Sequence, residues 1–270
     1  MSTPSKIRIE DLTESNIDDL IRVCSSKRLS DPVHAEGVKV KKLWLLEMLR
    51  KFEPVSKIAY LNDEPVAQIL YCPENSNPAS FNRRKGVLNI LCIYNPTPAT
   101  QKLGVGTKLL QSVIDDAKRG KTCLGKEKCA FILAKAFNTG ELLPLSEFYR
   151  KNGFLNTESD DSLYLPVEGN YERGKRVGEY EPLVEDKNRA VIFFSPQCQF
   201  SYQFAVKISD IIKEAAPKIS IEIINEAERP DEFVKRKGCA LVVNGSPIRT
   251  FFMESEKFRE EIRQALHKKL

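Results

Sequence analysis

Histidine is rare in this chain of 270 residues, which contains only two, with one tryptophan and three methionines. The two histidines, His34 and His267, stand far apart, and Cys123 and Cys129 are too widely separated for a paired-cysteine knuckle. Because a structural zinc site needs clustered histidine and cysteine ligands, we expect no metal. The seven cysteines are an odd number and lie mostly in apolar runs, which indicates a reducing compartment.

Long apolar runs are also missing. No stretch is long enough to span a bilayer, and Met1–Lys6 leads into a strand without the apolar core of a signal peptide. A net charge of +5 is small for this length and is not concentrated in one basic segment. We therefore expect a soluble, cytoplasmic protein with no membrane and no nucleic-acid partner.

The apolar spacing predicts an α/β (α+β) protein with two domains. Residues 1–168 show a strand, two helices, a hairpin, a long strand, a helix, a strand, a short helix and a strand, which predicts a mixed sheet flanked by helices. The second of these helices is expected over Lys41–Phe52, after an irregular segment that extends to Val40. Residues 169–189 are charged and poor in apolar side chains, so they are expected to form a linker.

Residues 190–270 show a second, smaller pattern with the order βαβαββα. Its last two strands are predicted at Cys239–Val243 and Ile248–Phe252, joined by a turn that begins with Asn244 and Gly245. Ser162–Pro166 is predicted as the last strand of the first domain.

A glycine-containing loop follows the apolar strand of residues 88–93 and precedes a helix. It reads Gln101-Lys102-Leu103-Gly104-Val105-Gly106. A helix N-terminus has unpaired N–H groups and a partial positive charge, and glycines let an anion approach that backbone closely. The spacing does not match a Walker loop, which needs Gly-Lys-Ser/Thr, or a GxGxxG fingerprint, which needs a third glycine. An ordinary glycine-containing helix start is the alternative.

This loop resembles the Arg/Gln-x-x-Gly-x-Gly/Ala motif of the GNAT superfamily of N-acetyltransferases. The order of elements around it is similar, and so is the later segment Phe148-Tyr149-Arg150-Lys151-Asn152-Gly153-Phe154. The resemblance covers roughly residues 6–168. It implies the GNAT fold, acetyl-CoA as co-substrate and direct attack of a neutral amine on the thioester, catalysed by an acyltransferase of the kind that transfers groups other than aminoacyl groups.

The resemblance also implies roles for individual residues. The N–H groups of the loop and of the first helical turn would hold the pyrophosphate of coenzyme A, and the backbone of Leu91 and Ile93 would hold the pantetheine arm and the thioester. Tyr149 would protonate the departing thiolate; a packing role for its ring is the alternative. The cofactor-binding residues are thus Leu91, Ile93, Gln101, Leu103, Gly104, Val105, Gly106 and Thr107.

Three features depart from the family pattern. The loop between Ile93 and Gln101 is long and contains two prolines, and the segment of residues 138–143 is expanded, so that a cofactor contact cannot be assigned to Asn138. The strand before the loop carries no carboxylate that could act as a base; Asn89 and Cys92 are its polar or ionisable side chains before Tyr94. A water chain and Glu141 remain open as bases.

The second domain resembles the thioredoxin-like fold in its glutaredoxin-sized form. Cys198 follows its first strand at the start of a helix, where a thiolate is favoured, but Ser201 replaces the second cysteine of a Cys-x-x-Cys motif. Cys239 stands where glutaredoxins have a cis-proline, which makes it a candidate redox partner of Cys198. A buried cysteine in a degenerate binding module is the alternative. The two-domain arrangement resembles the YoaP-type branch of the acetyltransferases.

Three functions follow as hypotheses. The first is acetyl transfer from acetyl-CoA to an amine of a small molecule or a peptide. The second is a thiol–disulfide or partner-binding protein whose first domain only senses acyl-CoA, and the third is a non-catalytic module. A homodimer is possible because exposed sheet edges in this family often pair.

Overall fold

The computed structural model describes residues 7–25, 30–136, 144–158 and 161–268. By packing, the chain forms two compact units. The N-terminal unit contains the described residues of Met1–Lys27, Lys42–Asn77 and Asn82–Gly174, and the C-terminal unit those of Arg28–Lys41, Pro78–Phe81 and Lys175–Leu270. The predicted domain boundaries, 1–168 and 190–270 with a linker at 169–189, stay predictions.

The N-terminal unit is built on a seven-stranded mixed sheet with the strand order β1-β2-β3-β4-β5-β7-β6. Its strands are β1 Ile7–Asp11, β2 Ser56–Leu61, β3 Glu64–Pro73, β4 Val87–Tyr94, β5 Phe131–Lys135, β6 Leu155–Asn156 and β7 Ser162–Pro166. Neighbouring strands are antiparallel except β4 and β5, which are parallel. The mixed α/β sheet flanked by helices was therefore predicted correctly from the sequence.

Four helices accompany this sheet: α1 Ile17–Ser25, α2 Pro32–Phe52, α3 Val105–Lys118 and α4 Leu145–Lys151. α3 connects the parallel strands β4 and β5, and it buries one apolar stripe, which consists of Val105, Leu109, Leu110, Val113, Ile114 and Ala117. Each of its valine, leucine and isoleucine side chains stabilises the fold by about 1.5–3 kcal/mol when fully buried. This burial holds the N-terminus of α3 in a fixed place relative to the sheet.

α2 begins well before the predicted start at Lys41. Residues 32–40, which were predicted to be irregular, are helical because Asp31 caps the helix. Its carboxylate accepts the N–H groups of Val33 and His34 at 2.9 and 3.2 Å, and Pro32 occupies the first helical position. The part of α2 up to Lys41 belongs to the C-terminal unit.

A buried lysine fixes the far end of α3. The Lys57 ammonium of β2 lies 2.6 Å from the Asp116 carboxylate of α3 and also binds Asp11 of β1. Burial alone would lower the pKa of Lys57, but the hydrogen bonds that it donates to the two carboxylates, and their charge, outweigh burial and the pKa is raised. α3 is thus tied to the sheet by charge at its C-terminal end as well as by its apolar stripe.

The C-terminal unit has the predicted order βαβαββα. Its elements are β8 Arg189–Phe194, α5 Gln199–Ala215, β9 Ser220–Asn225, α6 Pro230–Lys235, β10 Leu241–Val243, β11 Ser246–Pro247 and α7 Ser255–His267. The four strands form a sheet in the order β11-β10-β8-β9, in which β8 and β9 are parallel and the other pairs antiparallel.

The prediction of a strand at Ile248–Phe252 was wrong; the last strand is β11, which ends at Pro247. The N–H of Ile248 still donates to the Leu241 carbonyl, but the next two backbone N–H groups donate to a side chain. The Glu261 carboxylate of α7 accepts the N–H groups of Arg249 and Thr250 at 2.9 and 2.8 Å, so these groups are not available for a strand ladder.

A fully buried ion pair secures residues that were predicted to lie in the linker. The Arg236 guanidinium lies 2.6 Å from the Asp186 carboxylate, and neither side chain is exposed. The Tyr180 hydroxyl donates to the same carboxylate at 2.7 Å. Removing one partner of a buried pair leaves a charge without compensation, which costs much more than losing a surface ion pair.

Two absences apply to the residues that the structure describes. None of their helices combines the length and apolar character that crossing a lipid bilayer requires. They also contain no group of three or more His, Cys, Asp or Glu side chains placed to bind a metal ion.

The Arg236–Asp186 pair gives a stability prediction. We expect Asp186→Ala to lower the free energy of unfolding by about 3–5 kcal/mol, because Arg236 stays buried without its main counter-charge. Glu185→Ala is the matched control, since Glu185 binds the same arginine but is 42% exposed, and it should cost less than about 1 kcal/mol. Urea unfolding followed by circular dichroism measures both variants. Equal decreases in the free energy of unfolding would show that the buried pair stabilises the protein no more than the exposed one.

Candidate functional site

The pairing between β4 and β5 ends halfway along β4. The parallel register joins Val87 to Phe131 and continues only to Ile90 and Ala134. On its other edge β4 stays paired with β3 up to Tyr94, with a register irregularity next to Tyr71. The residues Leu91 to Tyr94 change from buried to half-buried at this point. Among the described residues, the second half of β4 therefore has no strand partner on the β5 side, and this unpaired stretch is the β4–β5 gap.

The predicted glycine loop lies between this half of β4 and α3. Gly104 is the N-cap of α3 and has φ = 72°, in the left-handed region that glycine adopts without strain. Nothing lies within 4 Å of the position where a Cβ would be. The conformation of the backbone, and not lack of space, favours glycine here.

The start of α3 exposes a row of unused donors. Among the residues that the structure describes, the N–H groups of Gly104, Val105, Gly106 and Thr107 have no protein acceptor. The N–H of Leu103, also a predicted contact, instead donates to Thr100 at 3.3 Å. The first turn of α3 carries no acidic residue, and Lys102 and Lys108 are exposed beside it. This arrangement fits an anionic group with several oxygens.

The long loop before the motif is ordered by its own side chains. The hydroxyl of the buried Thr100 donates to the side-chain amide oxygen of Asn95 at 2.7 Å and also lies 2.9 Å from the backbone carbonyl oxygen of Thr97. Pro98 begins a 3-10 turn that ends at Thr100, and the Gln101 N–H donates to Pro98. The extra residues between Ile93 and Gln101 thus form a turn, held by its own hydrogen bonds, that leads into the glycine loop.

Helix α4 ends in a motif that fixes Tyr149. The N–H of Phe154 donates to the Tyr149 carbonyl at 3.1 Å, the N–H of Gly153 donates to Arg150 at 3.0 Å, and Gly153 has φ = 88°. These two bonds define a Schellman ending, and the rings of Tyr149 and Phe154 pack at 5.1 Å as its usual apolar contact.

Tyr149 is almost fully buried, with 1% of its surface exposed. Burial raises the pKa of its phenol well above the usual value, and the nearby Cys92 thiol raises it further. Its hydroxyl makes no hydrogen bond to another described residue. The ring therefore has the packing role that was the alternative, while the hydroxyl has no structural partner.

Three parts of the N-terminal unit meet at Gly106. A Cβ built on Gly106 would lie 3.6 Å from the Phe148 ring of α4 and 3.9 Å from the end of the Ile93 side chain of β4. The second half of β4, the start of α3 and α4 therefore lie next to one another. These elements carry the predicted residues Leu91, Ile93, Gly104, Val105, Gly106, Thr107 and Tyr149. Their predicted roles stay predictions.

One polar contact in this region was not predicted. Gln68 of β3 is fully buried, and its amide nitrogen donates to the Cys92 sulfur at 3.2 Å. The sequence signal was a single glutamine in the apolar run of β3. Asn138 and Glu141, considered above as a cofactor contact and a base, lie outside the described residues.

The redox candidates lie in the C-terminal unit. Cys198 is an exposed free thiol at the N-cap of α5. Ser201, in the place of a second cysteine, accepts the N–H of Ser195 at 2.9 Å. Cys239 is a half-buried free thiol, and its burial raises its pKa. A redox pair of Cys198 and Cys239 stays a prediction.

Comparison with known proteins gives structural neighbours only. No protein-family model matches the chain, and no curated protein matches it significantly. Similar solved structures include an N-acetyltransferase from Staphylococcus aureus Mu50, with 13% identity over 61% of this chain and 100% of that chain and a TM-score of 0.45. A GNAT family acetyltransferase from Brucella melitensis in complex with acetyl-CoA has 14% identity over 63% and 94%, with a TM-score of 0.42. The PaiA N-acetyltransferase from Thermoplasma acidophilum in complex with coenzyme A has 15% identity over 60% and 99%, with a TM-score of 0.41.

The free hydroxyl of Tyr149 gives a prediction that separates packing from chemistry. Tyr149→Phe should change the free energy of unfolding by less than about 1 kcal/mol, because no hydrogen bond is lost and the ring remains. Tyr149→Ala should cost about 3–5 kcal/mol, because it leaves a cavity between Phe148 and Phe154. Thermal or urea unfolding compares the two; a large loss for Tyr149→Phe would mean that the hydroxyl supports the fold.

Proposed function

We propose that the N-terminal unit binds acetyl-CoA at the start of α3 and transfers its acetyl group to an amine. One observation carries this proposal: four consecutive N–H groups, from Gly104 to Thr107, lie at a helix N-terminus and have no acceptor in the part of the protein that the structure describes. A pyrophosphate has enough oxygens to accept all of them, and the helix dipole favours its negative charge.

The second half of β4 explains why coenzyme A fits better than a simple phosphate. A pantetheine arm carries amide groups that can hydrogen-bond to the backbone of an extended strand. Leu91 and Ile93 lie beyond the last pair of β4 with β5, and the Ile93 side chain lies next to Gly106 of α3, so the backbone of this stretch is well placed for such an arm. The arrangement supports the GNAT resemblance of the loop motif and the order of elements around it.

Tyr149 is the proposed general acid. When the acetyl group leaves coenzyme A, the sulfur departs as a thiolate and needs a proton. Because burial raises the pKa of Tyr149 above its usual value, its phenol stays protonated throughout the neutral pH range. Activity should therefore not fall through ionisation of Tyr149 as the pH rises from 6 to about 9.

The acceptor is proposed as a neutral amine of a small molecule or a peptide, which attacks the thioester directly. The strand β4 carries no carboxylate to remove the amine proton. We assign deprotonation to a water chain; Glu141, the other base considered, lies outside the described residues. The protein would accordingly be an acyltransferase that acts best where its amine is already neutral.

Two glycines at opposite ends of α3 test the proposed pyrophosphate site. We expect Gly104→Glu to abolish acetyl-CoA binding, because a carboxylate at the helix start repels the pyrophosphate. Gly120→Glu is the matched control: Gly120 follows the other end of α3, has φ = 64° against 72° for Gly104, and also has open space at its Cβ position. Both variants carry the same backbone strain, of about 1–2 kcal/mol.

Isothermal titration calorimetry with acetyl-CoA measures the outcome. Binding by Gly120→Glu but not by Gly104→Glu supports the proposal. Unchanged binding by Gly104→Glu would place the cofactor elsewhere, and absence of binding by the unaltered protein would remove the proposed function.

The role of Tyr149 is tested by release of free coenzyme A with a panel of amines, peptides and aminoglycosides. Tyr149→Phe should lower kcat about a hundredfold or more and leave the acetyl-CoA dissociation constant unchanged. Equal turnover of the variant and the parent across pH would exclude Tyr149 as the acid.

The C-terminal unit is proposed to be a thioredoxin-like domain, which supports the YoaP-type resemblance of the whole chain. Support comes from the order β11-β10-β8-β9, with only β8 and β9 parallel, and from Cys198 at the start of α5. A redox function of this unit is the weaker hypothesis, because Ser201 replaces a resolving cysteine.

A further inference from the structure

Cys92 lies in the part of β4 that the proposed function assigns to the thioester. It stands between Leu91 and Ile93, beyond the last pair of β4 with β5, and it is half-buried. Its thiol is near Tyr149, since it contributes to the raised pKa of that phenol. A nucleophilic sulfur therefore lies in the same region as the proposed general acid.

Gln68 supplies an independent sign of a missing ligand. Its side chain is fully buried. Its amide nitrogen donates to the Cys92 sulfur at 3.2 Å, but its amide oxygen has no hydrogen-bond partner among the described residues. A buried acceptor without a partner costs about 1–3 kcal/mol. Rotating the amide by 180° would exchange the two roles and still leave one polar end unsatisfied beside the sulfur. A ligand with an N–H group, such as a pantetheine amide or an amine, would satisfy the oxygen.

Other cysteines of the same sheet region lack this combination. Cys72 and Cys129 are buried, and burial raises their pKa values to about 11 and about 12. Such thiols are protonated and enclosed, which makes them unreactive. Cys92 differs because it is only partly buried and its sulfur receives a hydrogen bond from Gln68.

We propose that Cys92 is a second acyl acceptor at this site and takes the acetyl group from acetyl-CoA when no amine is bound. This inference rests on the proposed function. It adds a covalent acetyl-protein that the direct attack of an amine does not require.

The step is a thioester exchange, which needs no oxidant or further co-reactant. The Cys92 thiol first loses its proton to water. Its thiolate attacks the carbonyl carbon of acetyl-CoA, a new C–S bond forms at Cys92, and the C–S bond to coenzyme A breaks. The departing thiolate takes a proton from Tyr149, which recovers one from water. The products are S-acetyl-Cys92 and free coenzyme A.

The experiment needs no knowledge of the amine. The full-length protein is incubated with acetyl-CoA alone, and intact mass spectrometry measures acetylation, with peptide mapping to locate it. We expect one acetyl group on Cys92 that neutral hydroxylamine removes, as a thioester requires. Cys92→Ala should lose this group, and Gln68→Leu should slow its formation about tenfold, because a hydrogen bond to a charged group is lost.

Cys198→Ala is the control, since Cys198 is exposed but lies in the other unit, and it should not change the acetylation of Cys92. Calorimetry with acetyl-CoA on each variant shows whether the protein still binds. Binding with Cys92 unmodified overturns the inference and leaves the proposed function intact. Equal acetylation of Cys198 and Cys92 overturns it as well, because it shows reaction in free solution. Absence of binding overturns the proposed function and the inference together.

Discussion

The site depends on the place where two parallel strands stop pairing. β4 and β5 share hydrogen bonds only up to Ile90 and Ala134, and backbone groups that lose a strand partner need another one. The apolar stripe of α3 and the contact of Lys57 with Asp116 hold the start of α3 next to this gap. The edge of β4 that β5 does not pair therefore lies next to the row of N–H groups at the start of α3.

Local signals in the sequence were sufficient for most elements and for the loop. Gly104 stands at the start of α3 and Gly153 just after the end of α4, and both have the positive φ that glycine adopts without strain. The wrong strand at Ile248–Phe252 and the missed start of α2 have one cause. In both places a carboxylate binds backbone N–H groups, from Glu261 and from Asp31, and the first of these contacts joins residues distant in sequence.

The contact of Gln68 with Cys92 could not be predicted, because it depends on how β3 and β4 align. A register irregularity in this strand pair lies next to Leu70 and Tyr71, and a change of one residue in alignment would turn each side chain to the opposite face. The buried pair of Arg236 and Asp186 was missed for a similar reason, since the sequence around Asp186 is as charged as a linker. The charged sequence around Asp186 suggests that its side chain is exposed, but its ion pair with Arg236, 50 residues later in the chain, buries it.

The central claim is that the backbone at the start of α3 binds the pyrophosphate of acetyl-CoA. Hydrogen–deuterium exchange measured with and without acetyl-CoA tests it directly, because N–H groups without an acceptor exchange quickly. We expect acetyl-CoA to slow exchange at Gly104–Thr107 strongly and at Leu103 little, since the Leu103 N–H already donates to Thr100. Saturating acetyl-CoA that leaves exchange at Gly104–Thr107 unchanged would contradict the account.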